Sequence, residues 1–159
     1  MKLTANMSIR EKDLWAELLV DVLVAVYYFP RAISLMTRES TALPVSEMAS
    51  LVVSTIVLAI IVSVVVFGFI HRSGESEQKD ERDYRFELRG NMVGYWGLNG
   101  LLILVLAQLV IGELAAAELP GSALIELGPL GVGHMILLAM ILASVIKSIS
   151  QLYQYRRSS

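Results

Sequence analysis

One uninterrupted apolar segment limits what this chain can fold into. Residues 51–70 contain no charged side chain and are rich in valine and isoleucine. Such β-branched residues favour a strand in a water-soluble protein, but a buried strand ends after about eight residues. A helix needs about twenty residues to cross the hydrocarbon core of a bilayer. The length of the apolar run therefore predicts a transmembrane helix, which we place at residues 48–70.

Two later segments have the same character. Residues 92–111 hold Asn99 and Gln108 but no charge, and residues 130–152 carry His134 and Lys147 within an otherwise apolar run. Each is long enough to cross a bilayer as a helix. We predict a transmembrane span at each of these two positions.

The first span, residues 14–36, is less apolar than the others. It contains Glu17, Asp21 and Arg31, and its continuous apolar run is too short to cross a membrane alone. The alternative is an amphipathic helix that lies in the membrane interface. An interfacial helix usually has a continuous basic face, which this segment lacks, so a true span is favoured.

Composition agrees with four spans. Of the 159 residues, 55% are hydrophobic and only 18% are charged, whereas a soluble domain has about 25% charged residues. Four spans with short connections use nearly all of this length. The predicted fold is therefore all-α, a polytopic integral membrane protein whose single domain has four transmembrane helices. The absence of cysteine excludes disulfides, thiol catalysis and thiolate metal sites.

Basic residues in the connections predict the orientation of the chain. They are Lys2, Arg10 and Lys12 before the first span, Arg72, Lys79, Arg82, Arg85 and Arg89 in the second connection, and Arg156 and Arg157 at the C-terminus. The third connection, residues 113–128, has no basic residue and carries Glu113, Glu118 and Glu126. The positive-inside rule therefore predicts that both termini and the second connection, residues 72–91, are cytoplasmic in a multi-pass protein of the cell membrane.

Charged residues inside the predicted spans are candidates for function. Glu17 and Asp21 are four residues apart, so they share one face of the first helix. At 1.5 Å per residue, Asp21 lies about 10 Å below the start of the first span, and Lys147 lies at a comparable depth in the fourth. We expect Asp21 and Lys147 to form an ion pair, with Glu17 reaching the cytoplasmic surface. The pair either fixes which helices are neighbours, takes part in proton or ion coupling, or contacts another subunit.

The third span begins with a glycine-rich face. Gly90 and Gly94 form a small-xxx-small pair, and Gly97 and Gly100 continue it. Glycines let helix backbones approach closely in lipid, and Asn99 is expected to hydrogen-bond across the contact. The pattern predicts tight helix packing, either within one chain or between chains of an oligomer.

The second connection is predicted to be a charged helix that starts near residue 78 and continues into the third span. Its charged residues alternate in sign, and Glu81 and Arg85 form a favourable i,i+4 pair. The set consists of Asp80, Glu81, Arg82, Asp83, Arg85 and Arg89. Alternating signs favour a solvated, salt-bridged helix over a metal or catalytic cluster. Its basic members are also suited to contact anionic lipid headgroups.

The same stretch resembles a known group of proteins. Lys-Asp-Glu-Arg-Asp at 79–83, Glu-Leu-Arg-Gly-Asn at 87–91 and Gly-Tyr-Trp at 94–96 look like the signature of small prokaryotic predicted membrane proteins grouped as a domain of unknown function. The resemblance implies that a shared property resides in residues 79–96. It carries over no catalytic residue.

These observations lead to two principal hypotheses of function. The first is a non-enzymatic membrane module that acts as a homo-oligomer or as an accessory subunit of a membrane complex. The alternative is a small proton- or ion-coupled transporter that uses the carboxylates of the first helix, an architecture similar to small multidrug transporters. An intramembrane enzyme is a weaker third hypothesis, since nothing positions a nucleophile or metal beside the carboxylate pair. No motif for a cofactor, a metal or nucleic acid is present in the sequence, and the expected partners are the lipid bilayer and other membrane subunits.

The orientation can be tested with single cysteines in this cysteine-free chain. We expect a cysteine at Gln78 to be cytoplasmic and one at Gly121 to be outside. A membrane-impermeant thiol reagent added to intact cells should label the second variant only. Labelling of the first variant but not the second would show that the chain has the opposite orientation.

Overall fold

The structure is a computed structural model that describes residues 7–36, 45–73, 80–118 and 129–158. These residues form four long helices: α1 (Ile9–Met36), α2 (Val45–Ile70), α3 (Glu81–Glu118) and α4 (Pro129–Ser158). A short 3₁₀ turn, His71–Ser73, follows α2. All four helices are long and apolar enough to cross a membrane. The predicted all-α fold with four transmembrane helices is confirmed.

Polar caps explain why α1 and α3 begin where they do. The Ser8 hydroxyl accepts a hydrogen bond from the Glu11 amide at 3.2 Å, and the Glu11 carboxylate accepts one from the Ser8 amide at 3.3 Å. Asp80 and Asp83 make the same reciprocal pair at the start of α3, at 2.7 and 3.2 Å. Each pair satisfies amides that the first turn of a helix leaves without a partner. The cap at Ser8 lets α1 begin well before the predicted boundary at residue 14.

The charged connection and the third span form one continuous helix, as the sequence predicts. α3 runs unbroken for 38 residues from Glu81. The Arg85 side chain donates a hydrogen bond to Glu81 at 2.6 Å, so the predicted i,i+4 pair is confirmed. The predicted start near residue 78 lies outside the described residues.

The helices pack in the order α2, α1, α4, α3. α3 packs on α4, α4 packs on α1, and α1 packs on α2, whereas α2 and α3 make no comparable contact although they are neighbours in the sequence. Packed neighbours run antiparallel. His71 at the end of α2 therefore lies 3.6 Å from Asp13 in α1, and Tyr155 near the end of α4 bonds to Asp83 in α3. We call this end of the molecule, which holds the starts of α1 and α3 and the ends of α2 and α4, the charged end.

The interior is built from a few contacts between helices rather than from one large core. Tyr28 and Ala32 of α1 pack against Met48 and Leu51 of α2 in one cluster. Most large apolar side chains instead point outward, and Phe69 of α2 is 72% exposed. Water would penalise this exposure, but hydrocarbon does not. The pattern is that of helices surrounded by lipid.

The glycine face of α3 lies against α4 of the same chain over its first half. A side chain at Gly90 would overlap Gln151, and a Cβ at Gly94 would lie 3.0 Å from the Lys147 Cβ and 3.4 Å from the Ala143 carbonyl oxygen. Gly97 makes only ordinary contact with Ile146, and Gly100 faces open space. The first two glycines therefore serve packing within the chain.

Within the chain, Asn99 does not bond across the contact between α3 and α4. Its side-chain amide donates to the Tyr95 carbonyl oxygen of its own helix at 2.8 Å. An asparagine in a helix always has the carbonyl one turn earlier within reach. No partner on α4 displaces that local bond. A bond from Asn99 to another chain of an oligomer stays a prediction.

Glycine packing gives the first prediction from the fold. Gly94→Leu should lower the free energy of unfolding by about 1–3 kcal/mol, as overpacking typically does, because the Ala143 backbone cannot move aside. Gly100→Leu is the matched control, since nothing lies within 4 Å of an added Cβ there. Melting temperatures of the two purified variants in detergent provide the measurement. Equal melting temperatures would remove the close-approach argument.

Candidate functional site

Polar side chains of α1 and α4 meet along their shared interface. Glu17 and Asp21 project from the same face of α1 because they are four residues apart. Across from them, Ser144, Lys147 and Ser148 lie on the facing side of α4. We call these five residues the polar seam.

The ion pair of the seam joins Glu17 to Lys147. The Lys147 ammonium donates to Glu17 Oε1, and the Ser148 hydroxyl donates to Glu17 Oε2 at 3.3 Å. Ser148 is fully buried, whereas the two charged side chains are about one third exposed. The ion pair is therefore partly accessible rather than fully buried in the protein interior.

The predicted Asp21–Lys147 ion pair is thus wrong, because Lys147 pairs with Glu17 instead. Asp21 lies one helical turn deeper than Glu17. A flexible lysine turns its charge toward the more accessible of two carboxylates, because hydration then lowers the cost of the charge. Depth counted from assumed helix ends is accurate only to about one turn, so the sequence could not distinguish the two acids.

Asp21 is left with an incompletely satisfied carboxylate. Its Oδ2 is buried and accepts no hydrogen bond from any described residue. The Ser144 hydroxyl bonds to the same carboxyl group, and Glu17 and Lys147 lie within electrostatic range. The seam therefore contains two carboxyl groups and one ammonium. When all three are ionised, one negative charge has no counter-charge in the seam.

A polar cavity of about 350 Å³ leads from the charged end to the Glu17–Lys147 pair. All four helices contribute to its wall. The charged members are Arg10, Asp13, Glu17, Asp83, Glu87 and Lys147. Four acids and two bases make the wall acidic, and such a wall attracts cations. Asp21 lies one turn beyond the inner end of this cavity.

The end of α4 holds the cavity together. The Tyr155 hydroxyl donates to Asp83 Oδ1 at 2.6 Å, and Arg156 Nε lies 3.8 Å from Glu11 Oε1. Gln151, which is 94% buried, also lines the cavity. Sequence reasoning missed Gln151 and Tyr155. The available signal was the spacing of four that places Lys147, Gln151 and Tyr155 on one helical face.

A second polar contact joins α1 and α4 in the opposite half of the molecule. The Tyr28 hydroxyl and His134 Nδ1 are hydrogen-bonded at 2.7 Å. In the part of the chain that the structure describes, no three His, Asp or Glu side chains converge to hold a metal ion.

The charged residues at the start of α3 have separate structural roles. Asp80 caps the helix, Glu81 pairs with Arg85, and Arg82 lies 6.0 Å from the centre of the Phe86 ring. Asp83, in contrast, points into the cavity wall. The start of α3 is therefore a salt-bridged helix segment whose Asp83 and Glu87 carboxylates reach the candidate site.

The ion pair can be tested with single and paired substitutions. Lys147→Met leaves two carboxyl groups without a cation and should lower stability by about 1–3 kcal/mol. Replacing both partners, Glu17→Gln with Lys147→Met, should recover part of that loss, because no unpaired charge remains at that depth. Thermal unfolding in detergent measures the two single variants, Lys147→Met and Glu17→Gln, and the double variant. Additive losses in the double variant would contradict a direct pair.

No family model matches the sequence, and neither a curated protein nor a solved structure is detectably similar to it. The resemblance of residues 79–96 to a group of small prokaryotic membrane proteins therefore stays a prediction.

Proposed function

We propose that this chain is a small proton- or ion-coupled membrane transporter whose binding group is the Asp21 carboxylate. The observation that carries the proposal is the state of that group. It is partly buried, its Oδ2 is buried without a hydrogen-bond partner among the described residues, and it lies one turn beyond the cavity that begins at the charged end. A proton or a small cation supplies the positive charge that the seam lacks.

Energetics argue against a purely structural role for Asp21. A charged residue at the centre of a membrane helix costs about 2.5–3.5 kcal/mol on insertion scales. Glu17 and Lys147 alone already join α1 to α4 as a neutral pair. Asp21 adds a second acid without a second base, and the packing of the two helices does not require it. Such residues are retained where a charge must be bound and released.

The cavity supplies access to the site from one side of the membrane. Its acidic wall raises the local concentration of protons and cations, and its inner end reaches the Glu17–Lys147 pair. Following the positive-inside rule, we place the charged end in the cytoplasm. Protons or cations then enter the seam from the cytoplasmic side.

Tyr28 and His134 extend the row of polar groups toward the opposite side. Tyr28 follows Asp21 by seven residues on the same face of α1, a separation of about 10 Å. Its hydroxyl bonds to His134 on α4, so both ionisable contacts lie on the α1–α4 interface. A proton that leaves Asp21 away from the charged end has these two groups as its next partners.

A membrane module that acts as an oligomer or accessory subunit is the second candidate. The observation in its favour is the open row of helices, in which α4 is the main packing partner of α3. Its Trp96 and Leu104 are more than 60% exposed, and Gly100 faces open space. A second copy of the chain or a partner subunit could pack against this face of α3. If the chain is such a module, Asp21 has no role in transport.

Transport through Asp21 is tested with purified protein in liposomes. Under an imposed pH or sodium gradient, the unmodified chain should dissipate the gradient, and Asp21→Asn should reduce the flux to that of empty liposomes. Asparagine keeps the shape of the side chain but cannot bind a proton or balance a cation. Glu113→Gln removes an exposed acid of α3 far from the seam and should behave like the unmodified protein.

Melting temperatures separate loss of transport from loss of folding. Asp21→Asn should keep or raise the melting temperature, since it removes a buried charge. Unchanged flux in a folded Asp21→Asn variant would reject the transporter proposal. No flux from the unmodified protein under either gradient would reject it as well and favour the module.

A further inference from the structure

A second groove lies between α3 and α4 on the side away from α1. It has a volume of about 530 Å³, and its residues differ from those of the cavity. The members used below are Arg89, Met92 and Val93 of α3, and Ser150, Gln154 and Arg157 of α4. We call it the outer groove. Among the described helices, α3 and α4 supply all the residues that line it.

The two arginines of the outer groove are free to bind an anion. Arg89 and Arg157 are both exposed, and neither forms an ion pair with a residue that the structure describes. Their neighbours differ, since Arg85 pairs with Glu81 and Arg156 lies beside Glu11. Two unpaired positive charges therefore lie at the groove.

Polar and apolar residues of the groove are layered along the helices. Arg157 lies near the end of α4, and Arg89 precedes the apolar part of α3, which begins near Met92. Met92 and Val93 continue the groove from Arg89 toward the centre of the membrane. The groove thus offers cations at the level of the headgroups and an apolar surface below.

We infer that the outer groove binds an anionic phospholipid. The phosphate lies between the Arg89 and Arg157 guanidinium groups, which form charge-assisted hydrogen bonds with phosphate oxygens. An acyl chain lies along Met92 and Val93. Phosphatidylglycerol has the required net negative charge, whereas phosphatidylcholine has no net charge.

Native mass spectrometry of the full chain, released from detergent micelles with added lipid, tests this site. The unmodified protein should retain phosphatidylglycerol in preference to phosphatidylcholine. Arg89→Gln with Arg157→Gln should bind phosphatidylglycerol about thirtyfold more weakly, as expected for two lost arginine contacts. The matched control is Arg72→Gln with Arg85→Gln, which removes the same charge from the same end of the molecule and should retain the lipid.

Three outcomes would overturn the inference. These are equal retention by the two double variants, no preference for phosphatidylglycerol in the unmodified protein, or displacement of the lipid by millimolar inorganic phosphate, which indicates a site for the free anion. Melting temperatures in phosphatidylcholine nanodiscs show whether each double variant is folded. Neither pair of substitutions touches Asp21, so the result does not depend on whether the chain transports protons or ions.

Discussion

Contact between α1 and α4 organises the rest of this molecule. The two helices run antiparallel, and polar contacts at three depths fix their register: Glu11 with Arg156, Glu17 with Lys147, and Tyr28 with His134. Lipid surrounding a helix provides no hydrophobic force that favours one register over another, so specific polar contacts and close packing must do so. α2 then attaches to α1, and α3 attaches to α4, on opposite sides of this central pair.

Hydrocarbon as the solvent explains the rest of the packing. Large apolar side chains have no reason to be inside, so small residues such as Gly94 and Ala143 occupy the helix contacts and most valines and isoleucines face outward. Polar groups show the opposite preference and gather between helices. The same rule places Ser148, which is fully buried, beside Glu17. Burial of polar atoms therefore locates the site in this chain better than burial of apolar ones.

Length and local spacing made much of the fold predictable. The span in α2, the continuity of α3 and the Glu81–Arg85 pair all follow from residues close together in the sequence. Contacts between helices depend on axial register and rotation, which a sequence constrains only to about one turn. Glu17 and Asp21 are themselves one turn apart, so the sequence could not show which of them pairs with Lys147. The bond from Tyr155 to Asp83 joins distant residues and had no signal beyond a shared helical face.

α4 contributes residues to all three features on which the proposals rest: the polar seam, the cavity and the outer groove. One of its faces presents Lys147, Gln151 and Tyr155 to the cavity, while residues at positions 150, 154 and 157 line the outer groove. Its last turns are held to α3 and α1 by side chains rather than by a large apolar core. A lipid bound in the outer groove contacts the same turns from outside. The position of Lys147 relative to Glu17 and Asp21 therefore depends on contacts on both faces of one helix, so a headgroup bound in the groove and a charge bound in the seam act on the same element.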